Sequence, residues 1–260
     1  MDNRFLSLRA IIKCVIILLV IITSSCAGTR QPSSQKERAR ALERLGESLF
    51  LQGNAREGLA QLLEAEKLDP SNPDLQHGIA LVYQNLKKYD LALKHFKKAI
   101  DLKPEFPDAY NNMGILYSQK GDQKKALKYF NKAISYVLYR TPQFAYHNIG
   151  LIYFQMKDYK KAIEYYNKAL SISPDYVAAY FDLARVYEVL EENEKAILVY
   201  DQIIKNVPES LAPYLAQAKV YRKTGQIDKS VAKLNHIIST DPRSPIAQDA
   251  IKLLAEIQSR

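Results

Sequence analysis

Few residues of this chain could carry redox or metal chemistry. Its 260 residues include two cysteines, four histidines and no tryptophan. Cys14 and Cys26 both lie near the N-terminus, so no internal disulfide is expected in a mature chain that begins at Cys26. The histidines lack the close spacing that is typical of zinc ligands. We therefore expect no metal and no cofactor, and apolar packing alone must stabilise the fold.

The motifs of common catalytic sites are missing as well. The nine glycines form no nucleotide-binding or phosphate-binding loop and no nucleophile elbow. Glu191 and Glu192 are predicted to lie in a turn between two helices, where a solvated loop is more common than a general acid and base. The sequence thus predicts no catalytic residues, and enzyme activity is not expected.

The first 25 residues have the features of an export signal. Basic residues precede an apolar run from Val15 to Ile22, which is too short to cross a bilayer unaided. Small residues then lead to Cys26, as in the lipobox of bacterial lipoproteins, although Thr23 stands where that motif usually has Leu, Val or Ile. An ordinary secretory signal with an incidental cysteine is the alternative. We expect residues 1–25 to be cleaved, Cys26 to be lipidated and residues 26–38 to form a flexible tether.

Proline recurs at a fixed period along the rest of the chain. The intervals between Pro70, Pro104, Pro174, Pro208 and Pro242 are 34, 70, 34 and 34 residues, and the long interval equals two periods plus two extra residues. A period near 34 is typical of tetratricopeptide repeats, in which each unit is a helix–turn–helix. Alignment on the prolines gives six units, over residues 39–72, 73–106, 107–142, 143–176, 177–210 and 211–244.

A second signature lies within the units. Small residues at the eighth and twentieth places let paired helices approach closely, while aromatic rings at other fixed places fill the seam to the next unit. Glycine between the paired helices allows the first helix to end in a left-handed residue. The third unit shows this pattern with Tyr110, Met113, Gly114, Tyr117, Ala126 and Phe130.

The sequence therefore resembles the tetratricopeptide repeat family and predicts an all-α fold. The resemblance implies a right-handed α-solenoid of six helix–turn–helix units over residues 39–244. Residues 245–260 carry an apolar stripe with helical period, and we expect them to form a helix that caps the last unit, which lacks a neighbour on one side.

The family resemblance also places a groove along the first helices of the units, on the concave side. Its middle would present large apolar side chains at places that helix packing does not require, which is typical of an interaction site. We expect a protein partner to insert an apolar segment, with an acidic end towards the basic sixth unit. The alternative is that tight coiling, or folding back of the last helix, buries these side chains. The candidate partner-binding residues are Leu81, Asn111, Ile115, Phe144, His147, Leu151, Phe154, Phe181 and Arg185.

The chain is basic, with a formal net charge of +9. Such a balance can attract nucleic acid, anionic lipid or an acidic protein. Because the N-terminus predicts export, nucleic acid is not expected as a partner. Lysine pairs recur in or just before the second helices, where a solvated face is the simplest interpretation and attraction to an anionic membrane is the alternative. The pairs are Lys87-Lys88, Lys97-Lys98, Lys124-Lys125 and Lys160-Lys161.

The lipobox-like start, the six repeats and one short stretch together resemble the type IV pilus pilotins, the PilF/PilW/Tgl group. The stretch runs from Tyr139-Arg140-Thr141-Pro142 to Ala145 and Asn148-Ile149-Gly150. This resemblance implies an outer-membrane lipoprotein that faces the periplasm and promotes assembly of a pilus secretin. A periplasmic scaffold for another envelope machine, in polysaccharide export or outer-membrane protein assembly, is the alternative. The oligomeric state stays open.

Overall fold

The computed structural model describes residues 34–259, and within them the fold is built from thirteen α-helices and no strands. This confirms the all-α prediction. The predicted export signal and Cys26 lie outside the described residues. The helices are α1 (Gln35–Leu51), α2 (Ala55–Leu68), α3 (Pro73–Asn85), α4 (Tyr89–Leu102), α5 (Pro107–Gln119), α6 (Gln123–Ile134), α7 (Pro142–Gln155), α8 (Tyr159–Ile172), α9 (Val177–Val189), α10 (Asn193–Asn206), α11 (Ala212–Lys223), α12 (Ile227–Thr240) and α13 (Pro245–Gln258).

The first helix begins earlier than the sequence predicts. Ser34 caps α1, because its hydroxyl accepts from the backbone N–H of Glu37 while the Glu37 carboxylate accepts from the backbone N–H of Ser34. This reciprocal pair is a capping box, which stabilises a helix start. Residues 35–38 are therefore helical, and the predicted tether over residues 26–38 extends four residues too far.

A residue with left-handed backbone stands two positions after the end of each first helix. Gly53, Gly121 and Gly225 have φ angles of 88°, 79° and 75°, as expected of glycine at this place. The equivalent place in the other pairs holds Lys87, Lys157 and Glu191, which adopt the same region with φ of 57°, 62° and 60°. The turn geometry is thus kept even where no glycine supplies it.

The chain divides into two compact units. The first, which ends at Pro70, contains α1 and α2. These two helices meet through glycine, since a Cβ atom added to Gly58 would lie 2.6 Å from the carbonyl oxygen of Gly46. Leu62 fills the space beside Gly46 and is fully buried. The pair can approach this closely because neither glycine carries a side chain.

The second unit starts at Ser71 and contains five helix pairs followed by α13. A Cβ atom at Gly114 would lie 2.6 Å from the ring of Phe130, and one at Gly150 would lie 2.6 Å from the ring of Tyr166. Both rings are buried. The small residue at the eighth place thus makes room for the large one at the twenty-fourth place of the same unit.

Successive pairs of the second unit pack against one another. Each second helix packs on its own first helix and on the next first helix, and most neighbouring first helices also touch, so that first and second helices form two layers. At the end, Ala247, Ala250 and Leu253 of α13 pack against Leu234 and Ile237 of the last pair. Among residues 34–259, no helix has the length and apolar character needed to cross a bilayer.

Candidate partner-binding site

The nine predicted groove residues all lie on first helices of the second unit: Leu81 on α3; Asn111 and Ile115 on α5; Phe144, His147, Leu151 and Phe154 on α7; Phe181 and Arg185 on α9. Two of them have substantial exposure. Phe144 is 42% exposed, and the Arg185 side chain is 52% exposed. The layer of first helices therefore presents these two side chains most openly to solvent.

Five apolar members are half-buried and contribute to the core. They pack against buried clusters between helices, which contradicts the expectation that packing does not require their places. Packing between helices, and not a fold-back of the last helix, half-buries these side chains, and each retains some exposed surface. They are Leu81, Ile115, Leu151, Phe154 and Phe181.

Asn111 and His147 do not line an open groove, and their assignment is wrong in that respect. Both are only 8% exposed. His147 Nε2 lies 2.7 Å from the carboxylate of Asp182, and the Tyr176 hydroxyl lies 3.0 Å from Nδ1. The Oδ1 atom of Asn111 is buried without a hydrogen-bond partner among the described residues. The fifth place of the repeat thus points into the junction between pairs.

His77 occupies the same place in α3 and shows the same kind of contact. The amide of Asn112, 35 residues further on, lies 2.9 Å from His77 Nε2. The imidazole packs against the rings of Phe96 and Phe106, with centroid distances of 5.6 and 4.9 Å. Burial lowers the pKa of His77, and this outweighs the opposing effect of Asp108. Polar side chains at the fifth place of the repeat therefore contact polar side chains of the next helix pair.

Several of the predicted residues are brought together where α7 meets α9. Arg185 donates to Asp182 at 3.0 Å, and its guanidinium carbon lies 4.5 Å from the centroid of the Phe154 ring. His147 bonds the same carboxylate from the other side. A paired guanidinium held over an aromatic face loses little further freedom on binding. These three side chains and Asp182 thus form one connected wall of the first-helix layer at this point.

A cleft of about 380 Å³ adjoins this wall. Phe181 and Arg185, two of the predicted groove residues, line it, and Leu215, Lys219 and Ile246 close it from α11 and α13. Most of its exposed lining area is apolar, and its polar groups are four charged side chains and one tyrosine hydroxyl. We refer to this feature, which also contacts Asp182, Glu188, Tyr200, Ala212 and Ala216, as the first-helix cleft.

The polar groups of the first-helix cleft are mostly paired. The Tyr200 hydroxyl donates to the carboxylate of Glu188. Burial raises the pKa of Tyr200 most, and the bond to Glu188 raises it further. Arg185 is paired with Asp182. Lys219, by contrast, is exposed and forms no ion pair within the described residues. Its ammonium group is therefore available to a carboxylate of a partner.

The sequence did not indicate Tyr200, Leu215 or Ile246 as cleft residues. Tyr200 holds the large place of a second helix, and its buried ring fits that structural role. Ile246 belongs to the apolar stripe of the terminal helix. A capping helix must itself contact the first helix of the last pair, as α13 contacts α11. This requirement could have indicated Ile246.

A second cleft, of about 510 Å³, lies between the connecting segments of pairs two to four. Phe106, Tyr136, Val137, Leu138 and Arg140 are among its lining residues, and none of the predicted groove residues belongs to it. Within residues 34–259, no three histidine, cysteine or acidic side chains are grouped in a way that could hold a metal ion.

Comparison with known proteins agrees with this architecture. Three family models, each described as a tetratricopeptide repeat, match residues 71–136, 144–176 and 165–197. No curated protein sequence matches the chain. The tetratricopeptide fold is typically a scaffold for protein interactions.

Solved structures show the same fold. The crystal structure of PilW, described as a widely conserved type IV pilus biogenesis factor, is 23% identical, with 82% of this chain and 98% of that chain covered and a TM-score of 0.71. PilF of Pseudomonas aeruginosa is 22% identical, with 85% and 99% covered and a TM-score of 0.69. YrrB, described as a TPR protein with an unusual peptide-binding site, is 18% identical, with 74% and 97% covered and a TM-score of 0.54. The chain is therefore a tetratricopeptide repeat protein, and its fold resembles those of PilW and PilF.

Proposed function

We propose that the chain is an interaction scaffold that holds a segment of a partner protein in the first-helix cleft. The observation that carries this proposal is an apolar cleft of about 380 Å³ that contains one unpaired ammonium group, that of Lys219. An apolar side chain of the partner would fit against Phe181, Leu215 and Ile246. A carboxylate next to it on the partner would pair with Lys219.

The walls of the first-helix cleft favour such a segment because Arg185 and Glu188 already have partners within the fold. Arg185 is fixed by Asp182 and by the ring of Phe154, and Glu188 accepts from Tyr200. A pre-organised site loses little conformational entropy when it binds. The description of YrrB as a peptide-binding TPR protein supports a peptide as the occupant, since the folds are alike.

The partner that we propose is a secretin of a type IV pilus, whose assembly the chain would promote as an outer-membrane lipoprotein facing the periplasm. Two features support this proposal: the export-type N-terminus with Cys26, and the Tyr139-Arg140-Thr141-Pro142 stretch of the pilotin group. The description of PilW as a type IV pilus biogenesis factor, over 98% of its chain, adds to them.

The test compares a gene deletion with two charge reversals on one helix. Deletion should remove the detergent-resistant secretin multimers seen on gels, and the wild-type chain should restore them. Lys219→Glu should fail to restore them, whereas Lys223→Glu should succeed, because Lys223 is exposed on α11 but does not line the first-helix cleft. Circular dichroism would check that both variants are helical.

Two results would contradict the proposal. If both variants restore the multimers equally, the first-helix cleft is not needed for secretin assembly. Normal multimers in the deletion strain, together with a defect in capsule or in outer-membrane protein assembly, would favour a scaffold for another envelope machine.

The lipid anchor has its own test. Mass spectrometry of the N-terminal peptide from the processed chain should find Cys26 as the first residue, with diacylglyceryl and acyl groups attached. Two or more acyl chains hold a protein stably on a membrane. An unmodified Cys26 in the processed chain would contradict the lipid anchor. It would not bear on binding in the first-helix cleft.

A further inference from the structure

The two helix layers of pairs two to four differ sharply in charge. The first helices α3, α5 and α7 contain two aspartates and no lysine or arginine. The second helices α4, α6 and α8 contain ten lysines and three carboxylates, a formal charge of +7. Ten of the sixteen lysines and arginines of residues 73–176 thus lie in the second helices, which we call the lysine layer, and the other six lie in the segments that connect the helices.

Many of these lysines are not used within the fold. Five of them are exposed and form no ion pair among residues 34–259: Lys94, Lys97, Lys124, Lys128 and Lys160. Within α6 there is no carboxylate at all. Like charges at such density repel one another, so the lysine layer gains stability from a surface of opposite charge.

The cations of the lysine layer are lysines throughout, with no arginine. Lysine is a compact, strongly hydrated point charge, whereas arginine binds phosphate in a fixed two-pronged geometry. A layer of lysines therefore suits a broad anionic surface better than a single phosphate group held in one orientation. Anionic lipid headgroups attract juxtamembrane lysines in this way.

Two aliphatic side chains project from the end of the lysine layer. Val137 and Leu138 follow α6 and are 97% and 89% exposed. They belong to the segment that carries the two-residue insertion of the repeat, and the cleft that they line contains Lys103 and Arg140 as well as Glu105 and Asp108. Lys132 Nζ lies 4.8 Å from the centroid of the neighbouring Tyr136 ring, and Arg140 borders the same cleft. Large aliphatic side chains in water are unfavourable unless another surface covers them.

We propose that the lysine layer of pairs two to four lies on an anionic lipid bilayer, with Val137 and Leu138 inserted between the headgroups. A bilayer satisfies both observations at once, since it offers negative headgroups to the lysines and hydrocarbon to the aliphatic tip. A soluble polyanion would satisfy the lysines alone. The first-helix layer then faces away from the membrane, which leaves the first-helix cleft open to a partner.

The absence of tryptophan from the chain provides a clean reporter. The full chain with Leu138→Trp would carry a single tryptophan at the tip, where the Leu138 side chain is 89% exposed. We expect its emission to shift to the blue on vesicles of phosphatidylcholine mixed with phosphatidylglycerol. On vesicles of phosphatidylcholine alone the shift should be small, and high salt should reduce it on the anionic vesicles because salt screens exposed charges.

The matched control is Leu198→Trp. Leu198 is 63% exposed on the second helix α10, where two lysines are balanced by two carboxylates. Its emission should not shift on either vesicle. In the Leu138→Trp chain, the further changes Lys124→Gln, Lys128→Gln and Lys132→Gln should abolish most of the shift, while Lys219→Gln and Lys223→Gln should not.

Three results would overturn the proposal. One is an unchanged emission of the Leu138→Trp chain on anionic vesicles. Another is an equal shift on neutral vesicles, which would make the lysines irrelevant. The third is a shift with dissolved polyphosphate or heparin but not with vesicles, which would identify a soluble polyanion as the partner. None of these results depends on the secretin assay, so the proposed function stands or falls separately.

Discussion

At the scale of single residues, one small side chain sets the distance between paired helices. Gly150 faces the buried ring of Tyr166, and there is no room for a Cβ atom between them. The ring cannot move away, because its other contacts are core residues of the next pair such as Ala179 and Leu183. The close approach of α7 and α8 therefore requires glycine at position 150, because its side chain is a single hydrogen atom.

We expect Gly150→Val to lower the free energy of unfolding by about 2–3 kcal/mol, since overpacking forces the ring or the backbone to shift. The urea midpoint of the transition measures this loss. Gln155→Val is the control, because Gln155 is exposed at the end of the same helix, and its effect should stay within about 0.5 kcal/mol. Equal effects of the two changes would mean that the space at Gly150 is not limiting.

His77 makes the stability of the fold dependent on pH. Burial lowers its pKa in the folded chain below the value of 6.5 that applies when the chain is unfolded. Below pH 6.5 the unfolded chain therefore binds a proton that the folded chain does not. The contribution of His77 to the free energy of unfolding is therefore constant well above pH 6.5 and decreases as the pH falls below that value.

Urea midpoints measured between about pH 7.5 and about pH 5.5 test this linkage. We expect His77→Phe, which keeps an aromatic ring between Phe96 and Phe106, to reduce the fall in stability over that range. His236→Gln should leave the fall unchanged, because His236 is exposed. A pH dependence that is identical in His77→Phe and the wild-type chain would contradict the argument.

At the scale of the helical elements, the turn inside each pair is kept despite unfavourable residues. Lys157 has a φ of 62°, in the region that Gly121 occupies with 79° in the preceding pair. A side chain with a Cβ atom is disfavoured there by roughly 1–2 kcal/mol. Replacing it by glycine removes this strain but increases the entropy of the unfolded chain.

We expect Lys157→Gly to raise the free energy of unfolding by up to about 1 kcal/mol, which is the difference between these two effects. Lys128→Gly is the matched control, since Lys128 is exposed in the middle of α6, and it should lower stability by about 1 kcal/mol. The opposite order of the two variants in thermal unfolding would refute this account of the turn.

Much of the element structure could be predicted because local chemistry determines it. Pro73, Pro107 and Pro142 stand at helix starts, and the small residues at the eighth place identify the helix contacts. The start of α1 was missed because the capping box of Ser34 and Glu37 lies before the first recognisable repeat place. Left-handed Lys157 and Glu191 could not be foreseen, since only their neighbours in the fold impose that geometry.

The candidate site could be predicted only in part. Phe181 and Arg185, which the repeat pattern selects, line the first-helix cleft, because the place in the repeat determines the helix face. The burial of Asn111 and His147 depends instead on how closely one pair stacks on the next. The bond from His147 to Asp182 joins residues 35 apart in different units, and a repeat alignment treats each unit separately.

At the scale of the whole molecule, we propose different roles for the two helix layers of pairs two to four. The lysine layer concentrates positive charge and ends in an exposed aliphatic tip. The first-helix layer carries little charge there and leads to the first-helix cleft between α9, α11 and α13. A scaffold built in this way could rest on one surface while it holds a partner on the other.

The most direct test of the central claim is a photo-crosslink from the first-helix cleft in cells that make type IV pili. Benzoylphenylalanine would replace Lys219 in one strain and Lys223 in another, and antibody against the secretin would detect the adduct. The account predicts a secretin adduct from position 219 that is much stronger than that from position 223. Adducts of equal strength from both positions, or none from position 219, would contradict it.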